Sequence, residues 1–78
     1  MDKFKVKVEY EVAEIIDTPH DEKRMGTYPD SETVIVNAPA PELATLMVEA
    51  VLVETYSERG KYLLIKNTYV QAFTGDGN

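Results

Sequence analysis

The chain has 78 residues, of which 44% are hydrophobic, and 14 Asp and Glu outnumber 8 Lys and Arg to give a formal net charge of −6. This apolar fraction predicts one folded domain and excludes an intrinsically disordered chain. There is no cysteine, so disulfides, thiolate catalysis and Cys-based metal centres are excluded.

The first predicted element is a strand at residues 3–12. Its hydrophobic residues alternate with Lys and Glu, which is the period of a strand with one buried and one exposed face. The buried set is Phe4, Val6, Val8, Tyr10 and Val12. Adjacent apolar residues at 13–16 break the alternation and predict a β-bulge there.

Residues 17–31 are predicted to form a long polar loop, because they contain Pro19, Gly26 and Pro29. Loops of this length are uncommon in small domains, and they often carry function. The cluster Asp17, His20, Asp21 and Glu22 offers oxygen and imidazole ligands for a divalent cation. Its spacing matches no known metal-binding loop, so a solvated charged loop is the favoured interpretation.

A second strand is predicted at residues 32–38, followed by a helix from Pro41 to about Tyr56 with Gly60 as its stop signal. An alternative ends the helix near Ala50 and pairs residues 51–56 with 61–65 as a hairpin. The longer helix is favoured, because no helix-breaking residue separates Ala50 from Val51. Residues 62–73 then read as strand, and a hairpin at residues 66–68 would divide it into two.

This order predicts an α+β fold, an antiparallel sheet of three or four strands with one helix on one face, in the order ββαβ(β). Residues 1–73 would form the single domain, and residues 74–78 a flexible tail.

The predicted helix has two apolar faces. We expect the first to pack on the sheet; it comprises Leu43, Leu46, Met47, Ala50 and Val51. The second comprises Ala44, Val48 and Leu52. Leaving Val48 and Leu52 in water would forgo about 3–6 kcal/mol. Sheet curvature, the long loop or another chain could cover them, and a symmetric second copy is the favoured explanation.

Few residues are available for catalysis. His20 is the only histidine, and neither Ser31 nor Ser57 lies in a nucleophile turn. We therefore predict a protein that is not an enzyme and that needs no cofactor. Lys3, Lys5 and Lys7 form a basic stripe, but Glu9 and Glu11 follow it at once, so direct nucleic-acid binding is not predicted.

The layout resembles small accessory proteins of phages and mobile elements, including anti-CRISPR proteins with a helix packed on a small sheet. The resemblance lies in the strand at residues 4–8 and in the strand at 33–38, which leads through residues 39–42 into the helix at 43–47. It implies stoichiometric inhibition of a host defence complex of the CRISPR–Cas kind, without catalysis. No signal peptide or membrane-spanning segment is apparent, so we expect a cytoplasmic protein with no membrane partner.

The expected partners are a host protein or nucleoprotein complex with a basic surface, and a second copy of the chain in a homodimer. Two groups of residues are predicted to form the interfaces. The apolar and aromatic group comprises Ala44, Val48, Leu52, Tyr28 and Tyr69, and the acidic group comprises Glu9, Glu11, Asp21, Glu22, Glu49 and Glu54. Two alternatives remain open: a self-assembling structural or virion accessory subunit, and an oligomer that sequesters a small ligand such as a nucleotide.

Overall fold

A computed structural model of the protein describes residues 2–17 and 23–74. The elements are β1 (Asp2–Asp17), β2 (Lys23–Ala38), α1 (Pro41–Glu58) and β3 (Tyr62–Ala72). The strands form one antiparallel sheet in the order β2-β1-β3, and α1 packs on one face of it. The predicted α+β class is confirmed. The optional fourth strand is not found within residues 2–17 and 23–74.

The alternating pattern of β1 places its two sets of side chains as predicted. Phe4, Val6, Val8, Tyr10 and Val12 are all buried beneath α1. Lys3, Lys5 and Lys7 lie exposed on the opposite face, which we call the open face. Because β1 is the central strand, its apolar face forms the middle of the hydrophobic core.

The long loop predicted at residues 17–31 is wrong. β1 continues to Asp17 and β2 begins at Lys23, with Asp17 opposite Lys23 and Glu11 opposite Pro29 in an uninterrupted register. Proline is tolerated in an edge strand, where the missing N–H removes no bond to a neighbour, so Pro29 did not mark a loop. His20, Asp21 and Glu22 lie outside the described residues, as does the predicted tail from residue 75 onward.

The sheet contains one irregularity, but not where the sequence predicted it. The bulge expected at residues 13–16 is absent from the pairing of β1 with β2. The pairing with β3 shifts instead between Glu9, which is opposite Asn67, and Tyr10, which is opposite Ile65. Lys66 is the extra residue. The predicted break at residues 66–68 is therefore a bulge within one continuous strand.

The longer helix is confirmed and the hairpin alternative is wrong. Pro41 is the first helical residue, where its missing N–H costs no helical hydrogen bond. After Glu58 the chain turns at Gly60, whose φ of +74° is in the left-handed region that glycine adopts readily. The N–H groups of Gly60 and Lys61 donate to the carbonyls of Ser57 and Tyr56, each at 2.9 Å, and close the last turn.

The two faces of α1 are exchanged relative to the prediction. Ala44, Val48 and Leu52 are 0, 3 and 6% exposed and pack on the sheet, whereas Leu46 and Val51 are 60 and 61% exposed. Both faces are apolar, so periodicity alone could not decide between them. The structure buries the face that begins with Ala44, whose small side chain lets the helix start close to the sheet.

The molecule is long for its size. Its principal extents are 55 × 20 × 18 Å and its radius of gyration is 15.7 Å, against about 11.5 Å for a compact domain of this length. β3 pairs only with the part of β1 from Phe4 to Ala13. Residues 14–17 and 23–26 therefore form a two-stranded arm that extends past β3.

Candidate protein-interaction surface

The side of α1 that points away from the sheet is apolar. At 100° per residue, Leu43, Leu46, Ala50 and Val53 follow one another along the side opposite the buried Val48. All four are exposed. We call this set the outer face. A surface helix normally presents polar residues there, and a helix that is apolar all round is normally buried.

Carboxylates alone provide the charge on α1. The helix contains Glu42, Glu49, Glu54 and Glu58 and no Lys, Arg or His. Glu49 is held against β3, because its Oε2 accepts a hydrogen bond of 2.6 Å from Thr68 Oγ1. Glu42, Glu54 and Glu58 are exposed around the outer face. The surface is therefore an apolar stripe with an acidic border.

A groove of about 380 Å³ separates α1 from β2. We call it the α1–β2 groove. Val34 and Val36 line its β2 side, and Met47 and Val51 line its helix side. Its other lining residues are Glu32, Val48, Leu52, Thr55, Tyr56 and Arg59. The groove exists because α1 does not extend over the outer strand β2, so the valines on that strand are only partly covered.

Tyr10 and Tyr56 join the helix to the central strand. Their rings meet edge to face, with centroids 5.7 Å apart and planes inclined by 65°. Burial, followed by the hydrogen bond to Tyr56, raises the pKa of the Tyr10 hydroxyl well above its ordinary value of 10.0. The sequence predicts both Tyr10 and Tyr62 in the core; this is confirmed for Tyr10 and wrong for Tyr62, which is 58% exposed.

Tyr28 lies beyond the end of α1. It faces the same side of the sheet as Val12, its neighbour in the register. The Lys61 Nζ is 6.0 Å from the centroid of the Tyr28 ring and 3.4 Å from Glu14 Oε2. The hydrogen bond to Tyr28, and then the one to Glu14, raises the pKa of Lys61. These contacts attach the start of β3 to the hairpin of β1 and β2.

Three other predicted interface residues meet on the open face. The Tyr69 hydroxyl donates to Glu9 Oε1 at 3.4 Å, and Lys7 Nζ is 3.7 Å from Glu9 Oε2. Lys66 Nζ is 3.8 Å from Glu11 Oε2. These are exposed ion pairs, which contribute little to stability. The predicted candidates therefore divide between opposite faces of the sheet.

The predicted role of Ala44, Val48 and Leu52 as an interface is corrected by their burial. The molecule's own sheet covers all three, so no second chain is needed to remove them from water. The apolar residues left in water are those of the outer face and of the helix side of the groove. Asp21 and Glu22 lie outside the described residues.

Two further observations bear on the kind of site. No group of three metal-ligating side chains occurs in the described part of the chain. Over the same residues, no helix has the length and apolar character that crossing a membrane requires. Comparison with protein-family models, curated proteins and solved structures gave no match to this chain.

Proposed function

We propose that this protein is a non-enzymatic binding protein that attaches to another protein through the outer face of α1. The observation that carries the proposal is the exposure of Leu43, Leu46 and Val53 on a helix whose opposite side is already in the core. Burying one such side chain is worth about 1.5–3 kcal/mol. A partner that covered all three would gain a large part of its binding free energy from them.

The partner we propose has a basic surface. Glu42, Glu54 and Glu58 border the outer face, and the whole chain carries a net charge of −6. Lys and Arg on a partner would complement this border. Such complementarity mainly accelerates association and excludes wrong partners. Binding should therefore weaken as salt is added, while the apolar contact persists.

The resemblance to small phage accessory proteins extends the proposal to a biological role. We propose that the protein occupies the basic surface of a host defence complex of the CRISPR–Cas kind, and thereby inhibits it in the cytoplasm. A basic groove that normally holds nucleic acid would offer both the charge and the extended surface. Inhibition by occupancy requires one molecule of inhibitor per site and no catalytic residue.

The nucleotide-sequestering alternative is less well supported. The α1–β2 groove has the volume of a small-molecule site. Its walls are mainly valine, methionine and leucine, Glu32 adds a negative charge, and Arg59 is the one cation among the described residues that line it. A phosphate group needs several free donors or cations. Here the Thr55 hydroxyl donates to the Val51 carbonyl and the Tyr56 hydroxyl is paired with that of Tyr10, so Arg59 is the main remaining donor among the described lining residues.

The test compares two variants that add the same charge at different places. Leu46→Glu puts a carboxylate in the outer face, and Gln71→Glu puts one on the open face, where Gln71 is exposed. Purified effector complexes of CRISPR–Cas systems are the probes, and binding is measured by surface plasmon resonance at two salt concentrations. We expect Leu46→Glu to weaken binding at least tenfold and Gln71→Glu to leave it within twofold.

Two results would contradict the proposal. One is an absence of saturable binding by the wild-type protein to any complex tested. The other is equal affinity for the wild type and Leu46→Glu, which would place the contact away from the outer face. Nuclease assays with the same variants then relate occupancy to inhibition.

A further inference from the structure

We propose that two copies of this chain associate through the free edge of β2, with residues 31–37 of each paired antiparallel about Val34 and the two α1–β2 grooves joined into one. This goes beyond the proposed function, because it uses the groove side of α1. The outer face of both helices stays free for another partner.

The backbone of β2 is free along one edge. Within residues 2–17 and 23–74, β1 is the only strand that pairs with β2. Pro29 has no N–H to donate to β1, so it occupies a position in β2 whose backbone N and C=O point away from β1. The register is continuous, and strand residues alternate with a period of two. The N–H and C=O groups of Ser31, Thr33, Ile35 and Asn37 therefore also point outward.

A hydrogen bond near the Ala38 end of β2 supports this assignment of which residues point their backbone groups outward. The N–H of Phe73 donates to the carbonyl of Lys3 at 2.9 Å, so the backbone groups of Lys3 face β3. Lys3 is opposite Asn37 in the register with β2. Asn37 therefore cannot form the close hydrogen-bonded pair with Lys3, and its own groups face outward. Pro29 and Lys3 therefore indicate independently that the odd-numbered residues of this part of β2 point their backbone groups outward.

Glu32 is the one charged residue in this part of β2, which otherwise lacks the features that usually protect an edge. Proteins protect edge strands with lysine, proline, bulges or a covering element. The β3 edge has the bulge at Lys66. Residues 31–37 of β2 contain no lysine and no proline, and their register is regular. Thr33, Val34, Ile35 and Val36 are all strong strand formers. Such an edge is a ready template for another strand.

The symmetry follows from where the free edge lies. Pro29 ends the pairing stretch on one side and β2 ends at Ala38 on the other, so residues 30–38 are available and Val34 is their midpoint. A two-fold axis at Val34 pairs Thr33 with Ile35 of the second copy, and both have outward backbone groups. Two-fold pairing is the commonest form of self-association.

The same axis brings apolar groove residues together. Val34 lies four residues before Ala38, or about 13 Å along the sheet. α1 starts beside Ala38 and runs back along the sheet. At 1.5 Å per residue it covers the same 13 Å in about nine residues, so Ala50 lies roughly level with Val34. Met47 and Val51, on the groove side of the helix, are within a turn of this level. The centre of the interface is therefore apolar, and Glu32 and Arg59 lie toward its ends.

Charge and exposed area are both compatible with a second copy. Antiparallel helices related at Ala50 place Glu42 of one copy level with Glu58 of the other, and Arg59 one residue further along. Because α1 packs over β1 and β3, the two helices are separated by at least three strand spacings, or about 14 Å, so repulsion between their glutamates is largely screened at a Debye length of about 8 Å. The chain exposes 5677 Å², roughly 900 Å² more than the ~4,800 Å² expected for a monomer of its mass. A standard interface buries about 800 Å² per partner.

The first test compares two threonine-to-proline variants. Thr33 and Thr27 are exposed residues of β2 whose N–H groups point outward, but Thr27 lies on the other side of Pro29. Light scattering after size exclusion is measured over a hundred-fold range of concentration. We expect twice 8.8 kDa for the wild type and for Thr27→Pro. Thr33→Pro should weaken dimerisation at least tenfold.

A second pair of variants does not depend on proline being tolerated. Met47→Glu places a charge in the α1–β2 groove, whereas Leu46→Glu places it on the outer face. We expect Met47→Glu to dissociate the dimer and Leu46→Glu to leave it intact, with circular dichroism confirming that both are folded. Equal dimerisation by both variants would overturn the proposal, as would a wild-type monomer at every concentration.

Hydrogen exchange supplies a direct readout at the edge. The amides of Thr33 and Ile35 should be protected only at concentrations where the dimer forms. The amides of Val34 and Val36 bond to β1 and should be protected throughout. A dimer in which the amides of Thr33 and Ile35 exchange freely would associate through another surface, and this result would refute pairing through the β2 edge. A monomer that still binds a basic complex would leave the proposed function standing, and a dimer that binds none would leave this proposal standing.

Discussion

The hydroxyl oxygens of Tyr10 and Tyr56 lie 3.2 Å apart, across the boundary between the central strand and the last turns of the helix. The two residues are 46 positions apart in the chain. One hydroxyl donates to the other inside a largely apolar core. This pair therefore connects β1 to α1 with a directional contact as well as with packing.

Removing both hydroxyls of this pair should cost less than the sum of the costs of removing each one alone. Tyr56→Phe deletes the partner of the buried Tyr10 hydroxyl, and an unsatisfied buried polar group costs about 1–3 kcal/mol. Tyr10→Phe together with Tyr56→Phe leaves no orphaned group. We expect urea denaturation to show that the double variant is destabilised by less than the sum of the single variants. Strict additivity would mean that the hydroxyls do not interact.

The stability of the fold should fall above about pH 10 because of Tyr10. The raised pKa of its hydroxyl means that the folded state keeps the proton while the unfolded state loses it. The unfolded state then binds fewer protons, so the free energy of unfolding decreases as pH rises. Below pH 10 both states are protonated and this contribution is fully present.

Denaturant titrations between pH 9 and pH 11 measure this effect. Tyr10→Phe should show a shallower decline than the wild type, because one of the titrating groups has been removed. Tyr62→Phe is the control, since Tyr62 is exposed. Identical slopes for the wild type and Tyr10→Phe would contradict the assignment.

Truncating Leu52 should destabilise the fold strongly, whereas truncating Leu46 in the same helix should hardly change its stability. Leu52 is buried against the sheet and Leu46 is exposed. Leu52→Ala should destabilise the fold by about 2–5 kcal/mol, because it removes apolar contacts and leaves a cavity. Leu46→Ala should change stability by no more than about 0.5 kcal/mol. Thermal unfolding of both variants checks this, and the reverse order would mean that α1 packs by its other face.

Replacing Gly60 should cost backbone strain alone. No atom lies within 4 Å of the position that a Cβ would take, so there is room for a side chain. The φ of +74° nevertheless costs an alanine about 1–2 kcal/mol. Gly60→Asn should cost less, because asparagine enters this region more readily. Equal losses for the two variants in chemical denaturation would point to a cause other than φ.

Much of the fold followed from local patterns. The alternation in β1, the proline at the start of α1 and the glycine after its end each report a constraint that acts within a few residues. The beginning of β2 did not follow, because Gly26 and Pro29 look like loop residues until the strand is known to be at an edge. That property belongs to the sheet, and it requires knowing which strand occupies the centre.

The apolar face that α1 leaves exposed was harder to predict than the fold. The sequence indicated that α1 is apolar on two sides and that only one of them could rest on the sheet. It could not show which side, because Ala44, Val48 and Leu52 and the set containing Leu46 and Val51 fit the helical period equally well. The bulge at Lys66 was likewise hidden, since a bulge is defined by the partner strand.

The order of the strands along the chain differs from their order across the sheet, which is β2-β1-β3. Among the four described elements, the central strand β1 is synthesised before its neighbour β3, with β2 and α1 between them, and Phe4 is opposite Ala72. A nascent chain can form the hairpin of β1 and β2 early, but β1 gains its second neighbour only after β3 has been synthesised. A chain that terminated after α1 would lack β3 and leave one side of β1 without a neighbour, which makes prematurely ended products easy targets for proteolysis.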